Sequence, residues 1–179
     1  VFENGKVITG TLTLSDGTNT LDYSNYNSSV DIDLSSSSLP GGTTISGTPD
    51  VITADASQTN SLTSANATNA WVITGDNQGT LNSLTFSNFQ TVTGSAGVDT
   101  FTIGASVDPT ITIAGGSASD KIVKSTGTNT FTISSSNGGT ISSTGGAAIT
   151  FSSIENLEVD GGTNSFVFND SNTISGTLT

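Results

Sequence analysis

One short unit recurs along this chain and limits its fold more than any other feature. A small residue is followed two positions later by Asn or Asp, and then by a run that alternates apolar and polar side chains. The unit occurs as "GTNTLDY" at Gly17, "ATNAWVI" at Ala67, "GVDTFTI" at Gly97, "ASDKIVK" at Ala118, "GTNTFTI" at Gly127 and "GTNSFVF" at Gly162. Gly and Asn tolerate the left-handed backbone that a tight turn needs. The Asn or Asp side chain bonds backbone groups across the turn. The run that follows has a period of two, so its apolar residues share one face of a strand. Further strand candidates, "VITGTLTL", "VDIDL", "TITIAG", "AAITFSS" and "NLEVDG", lie between clusters of Gly, Ser, Asn and Asp. No stretch carries a convincing helical period. The nearest, Ala54 to Trp71, is rich in Ser, Thr and Asn, poor helix-interior residues, and reads as a loop or one short turn.

Larger repeats contain the small one. Thr68 to Leu81, "TNAWVITGDNQGTL", aligns with Thr128 to Ile141, "TNTFTISSSNGGTI", at an offset of 60. Phe86 to Ile103 aligns with Phe151 to Phe168 at an offset of 65, which places an insertion of five residues near Thr144 to Ala148. The last thirteen residues, "VFNDSNTISGTLT", match the first thirteen, "VFENGKVITGTLT", at seven positions and an offset of 166. The chain therefore reads as one module over 1–179, with 1–166 one tandem period and 167–179 the start of the next. Short strands, small turn residues and repeats at several scales point to a right-handed parallel β-helix, an all-β solenoid; a β-sandwich is the alternative.

Composition agrees. With 32% hydrophobic and 10% charged residues, the chain lacks the high charge of disordered segments, and its β-branched residues suit strands. Its net charge of −12, with three Lys and no Arg, argues against nucleic acid and against anionic membrane surfaces. No apolar run approaches the roughly 18 residues of a membrane helix. With no Cys there is no disulfide and no thiolate metal site. Beginning at Val1 with no visible signal peptide, the sequence reads as an excerpt or a processed product.

Two windows resemble a known calcium-binding pattern. "GSAGVDTFT" (Gly94 to Thr102) and "GGSASDKIV" (Gly115 to Val123) are similar to the hemolysin-type, RTX nonapeptide G-G-x-G-x-D-x-U-x, departing from it at Ser95 and at Ala118. The wider phrasing, as in "FSSIENLEVDGG", looks like that of giant bacterial surface proteins with degenerate RTX-like repeats. The resemblance implies an exported, extracellular or cell-surface filament or adhesin. It makes Asp99 and Asp120 the candidate calcium ligands. Their motifs stand 21 residues apart rather than nine, and calcium takes six to eight oxygens, so the plainer expectation is that both residues close turns and that no cofactor is required.

Other constellations have simple readings. Asp31 and Asp33 share a strand face, and Glu155, Glu158 and Asp160 form an acidic patch; both suit a solvated surface. Without His there is no Ser-His-Asp triad, so no enzyme is expected, although a two-carboxylate glycosidase needs no His. Six Thr-x-Thr copies suggest an ice-binding face, against which stands their irregular spacing. Trp71 reads as core; Tyr23 and Tyr26 could stack on surface carbohydrate. Sequons at Asn27, Asn66 and Asn169 are expected by chance in so Asn- and Ser-rich a chain. The expected partners are further copies of the chain, in tandem or as filament neighbours, with a calcium- or carbohydrate-binding module as the alternative.

Overall fold

Alternation produces strands wherever the recurring unit occurs. The computed structural model describes residues 1–104, 109–125, 127–143 and 146–179. Among them the strands are β1 (Thr11–Thr13), β2 (Thr20–Asp22), β3 (Asp31–Asp33), β4 (Ser38–Leu39), β5 (Thr43–Ser46), β6 (Val51–Thr53), β7 (Ser61–Thr63), β8 (Asn69–Gly75), β9 (Gln78–Leu81) and β10 (Leu84–Ser87). Then follow β11 (Thr91–Thr93), β12 (Asp99–Ile103), β13 (Thr112–Ala114), β14 (Lys121–Ser125), β15 (Thr128–Ser135), β16 (Gly138–Ser143), β17 (Ala148–Ser152), β18 (Asn156–Asp160) and β19 (Thr163–Phe168).

The strands form two sheets. One has eleven strands in the order β1-β5-β4-β3-β7-β11-β13-β17-β16-β15-β19; the other has eight, β18-β14-β12-β8-β9-β10-β6-β2. The chain crosses between the sheets turn after turn, so strands of successive turns lie side by side and parallel. Thr91 of β11 faces Ser61 of β7, and Phe101 of β12 faces Trp71 of β8. The fold is a β-solenoid of about five turns with parallel stacking. The sandwich alternative falls because the pairs that join one turn to the next are parallel.

Two local expectations are corrected. The segment 54–71 is not simply a loop: it contains β7, whose Leu62 is fully buried. Three residues are too few for a visible alternation. Nor are the turns purely parallel. In three places the chain folds into an antiparallel meander, β3-β4-β5, β8-β9-β10 and β15-β16-β17. In each, the first strand pairs with the following turn and the third with the preceding one: β3 with β7 and β5 with β1, β8 with β12 and β10 with β6, β15 with β19 and β17 with β13. The reversals need left-handed residues, supplied by Ser37 (φ 56°), Asn77 (φ 54°) and Asn137 (φ 54°). Of the expected insertion at 144–148, residues 144 and 145 lie outside the described residues.

Inward side chains stack in register from turn to turn. Ile32, Leu62, Val92, Ile113 and Phe151 form one column, and Trp71, Phe101, Ile122 and Leu157 another. All nine are buried. Full burial of each aliphatic member contributes about 1.5–3 kcal/mol. Trp71 lies flat on Phe101 (5.5 Å, 15°), and Phe131 on Phe166 (4.8 Å, 23°). Among the described residues no helix is long and apolar enough to cross a membrane.

Candidate functional site: the polar corner and the open ends

The six Asn and Asp residues of the recurring unit stand at the starts of strands: Asn19 and Asp120 just before β2 and β14, Asn69 and Asp99 first in β8 and β12, Asn129 and Asn164 second in β15 and β19. Their side chains act along the chain and across turns. Asn19 Nδ2 donates to Ser15 O and Gly17 O, at 2.7 and 3.2 Å. Asn69 Nδ2 donates to Ala65 O, Ala67 O, Ser64 Oγ and Asp99 Oδ1. Across turns a second bond recurs through the earlier part of the stack: a corner N–H donates to a side-chain oxygen of the next turn. Asn19 N donates to Asp50 Oδ2, Asn60 N to Gln90 Oε1, Asn69 N to Asp99 Oδ1, Asp99 N to Asp120 Oδ1 and Asp120 N to Glu155 Oε2. The distances run from 2.7 to 2.9 Å. In the later turns, Asn129 Nδ2 donates to Asn164 Oδ1. The recurring unit predicts the first kind of bond. The second kind, and the parts of Asp50, Asn60, Gln90 and Glu155 in it, have no signature within one unit.

Asp99 and Asp120 are the two corners where Asp replaces Asn. Both are fully buried, and the Oδ2 of each is without a hydrogen-bond partner. Glycines make room for them. A Cβ on Gly94 would lie 2.3 Å from Asp99 Oδ2 and 2.3 Å from Gly115 O; one on Gly115 would lie 2.6 Å from Asp120 Oδ2. The position equivalent to Gly94 one turn earlier is Ser64, whose hydroxyl accepts from Asn69 and donates to Gly94 O. Burial, offset in part by the hydrogen bonds from Asn69 and reinforced by the charge of Asp120, pushes the Asp99 carboxyl up to about 6. Burial first, with the Glu155 charge adding to it, also raises Asp120. Among the described residues no group of three or more Asp and Glu is placed to hold a metal ion.

The remaining candidates separate. Asp33 accepts from Ser35 and Ser36 and closes its own turn, and Asp31 accepts from Ser61 Oγ. Glu155 belongs to the corner ladder; Glu158 pairs with Lys121 at 2.9 Å on the surface, and Asp160 is exposed. Trp71 and Tyr23 are buried, so neither offers a sugar-stacking face; Tyr26 is half-buried and meets Tyr23 edge-on. Asn27, Asn66 and Asn169 are exposed. A cleft of about 420 Å³ between the first two meanders is lined by Leu34, Ser37, Asn69, Leu81, Asn82 and neighbours, without a carboxylate. The meanders also do to the threonines what spacing conceals: Thr91, Thr112, Thr150, Thr140 and Thr132 stand opposite one another as one column on the eleven-stranded sheet. Thr100, Thr102, Thr177 and Thr179 lie on the other side.

The two ends of the stack are open. Among the described residues no strand follows beyond β1 or beyond β19 in the eleven-stranded sheet. Phe2, Leu12 and Leu14 at one end and Phe166 and Ile174 at the other are only partly covered. Of the exposed large hydrophobic residues among those described, Val1, Val7 and Ile8 lie at the first end, Val167, Phe168 and Leu178 at the last, and Val72 and Val98 elsewhere. No family model matches this chain, and neither does any curated protein or solved structure.

Proposed function

We propose that this chain is a structural repeat module of an exported bacterial cell-surface filament or adhesin, and that it is extended by stacking strand edges against further copies. The observation that carries the reading is the placement of exposed apolar side chains at the two ends of the stack, where backbone groups are also unpaired. A β-solenoid has no closed end of its own, and each turn pairs with the next as the turns within it already do. The acidic skin keeps the sides of such rods apart, since a net charge of −12 is spread over them. Antibody against the module, applied to intact cells of the source organism, tests the location: labelling of surface filaments before permeabilisation is expected, and labelling only afterwards would contradict the reading.

A second reading rests on the threonine column. In-register hydroxyl and methyl groups on one sheet face suit an ordered water lattice, and the ice-binding alternative predicts thermal hysteresis that Thr150→Lys, at the centre of the column, abolishes. Absence of hysteresis in the unaltered module removes it.

A further inference from the structure

We infer that successive copies of this module join with a half-turn between them, so that the sheet on one side of the rod continues into the opposite sheet of the next copy. The inference rests on the stacking proposed above and specifies its joint.

The repeated thirteen-residue segment shows the exchange directly. In its first copy, Phe2 N donates to Asp22 O and Glu3 bridges Asn25, so the segment starts beside β2 of the eight-stranded sheet; it ends in β1 of the eleven-stranded sheet. In its second copy, Val167 and Phe168 belong to β19 of the eleven-stranded sheet, and Leu178 bridges Leu157 of β18 in the eight-stranded sheet. The same residues occupy opposite sheets.

The internal repeat does the same. The series β8-β9-β10-β11-β12 corresponds by sequence to β15-β16-β17-β18-β19, and every strand lies in the sheet opposite its counterpart. Local geometry is conserved through the exchange. Both hairpins slip register at the same place, between Ile73 and Gly75 and between Ile133 and Ser135. Asn77 and Asn137 share φ 54°, and their carbonyls accept from Phe89 N and Ile154 N at 2.9 Å. The Trp71–Phe101 stack has its counterpart in Phe131–Phe166.

A mechanical reason follows from the meanders. Each puts three strands where one would stand, lengthening only its own side by two strand spacings, each about 4.8 Å. They alternate between the sheets: β3-β5 in the eleven-stranded, β8-β10 in the eight-stranded, β15-β17 in the eleven-stranded. With the half-turn, the next copy's β3-β5 falls on the side of the eight-stranded sheet, and alternation continues. Without it, two meanders follow each other on one side and the rod bends there. At the joint, Phe168 takes against Tyr23 of the next copy the place that Phe2 holds here, stacked at 4.3 Å and 10°. Thr177–Thr179 offers its free edge to β5 of the next copy, as Thr11 faces Thr44 here.

The test is a chain in which the 179 residues run on into residues 14–179 of a second copy, so that the shared segment occurs once. Asn169→Cys in the first copy and Asn25→Cys in the second stand as Glu3 and Asn25 do, and are expected to form a disulfide at least tenfold faster than Ser165→Cys paired with Thr44→Cys of the second copy. Cryo-electron microscopy of the unsubstituted chain reads the same joint from the order of its meanders, alternating between sides along one straight rod. A straight or bent rod with two consecutive meanders on one side, or preferential closure of the second cysteine pair, overturns the half-turn while leaving stacking in place. Two bodies swinging on a hinge, with neither pair closing, overturn the stacking reading and the half-turn together.

Discussion

At Asn69 the side-chain amide supplies protons to two turn carbonyls and to Ser64 Oγ. At Asp99 the same corner has a carboxyl, which supplies a proton only if it keeps its own. Its folded-state pKa of about 6, set first by burial, lies above the unfolded value near 3.9. Its contribution to stability is therefore fully present below about pH 4 and lost as pH rises through about 6. Asp22, Asp33 and Asp55 act in the opposite sense: against burial at Asp33, and with little opposing it at the other two, hydrogen bonds from neighbouring serines hold them below the ordinary carboxylate range, and what they contribute is lost only at lower pH. The melting temperature should thus fall between about pH 4 and pH 7, in circular-dichroism melts, and Asp99→Asn should flatten that fall. At pH 8 the same variant should be more stable by about 1–3 kcal/mol, because the amide gives the unpartnered Oδ2 position a donor. Millimolar calcium should leave the melting temperature unchanged; a rise that Asp99→Asn removes would assign the corner to the cation. Gly94→Ala should cost about 1–3 kcal/mol in denaturant unfolding, since its Cβ would meet Asp99 Oδ2 and Gly115 O at 2.3 Å.

The longer strands were legible in sequence, though β7 was not, because alternation marks an inward face whatever the neighbouring strand does. The meanders were not, for the same reason. A strand such as β8 has the same alternation whether its neighbour is β12, parallel, or β9, antiparallel. The residues that turn a hairpin, as at Asn77, are also those that turn a solenoid corner, as at Gly17. Only the alignment of "TGDNQGTL" with "SSSNGGTI" hinted that both stretches shared a special geometry. Asn77→Ala should destabilise by about 1–2 kcal/mol, because the position holds left-handed backbone in which Ala is strained, while Asn77→Gly should be close to neutral. Phe101→Ala, which empties the space between Trp71 and Ile122, should cost about 3–5 kcal/mol.

For the whole molecule, the sequence showed that its two ends are alike, and the structure shows where they sit. Two Thr-Leu-Thr segments identical in sequence lie on opposite sheets, a relation that no comparison of letters contains. The candidate site was legible to the same degree. The six corner residues were visible as a recurring unit, while their bonds to the next turn depend on stacking distances set by the intervening residues. Those intervals vary, from 21 residues between Asp99 and Asp120 to 35 between Asp120 and Glu155, so no fixed spacing reveals them. The central claim is that this is an open stack completed by its own kind. Amide hydrogen exchange tests it most directly, comparing the single module with the two-copy chain that shares the joint segment. Exchange in the single module should be slow at Val92, Phe101 and Ile113 and fast at Phe168 and Leu178, whose neighbours Asn169, Thr177 and Thr179 already donate to the preceding turn; in the two-copy chain the Phe168 and Leu178 amides should become at least a hundredfold slower. Equal exchange at the joint segment in the two chains would contradict the account.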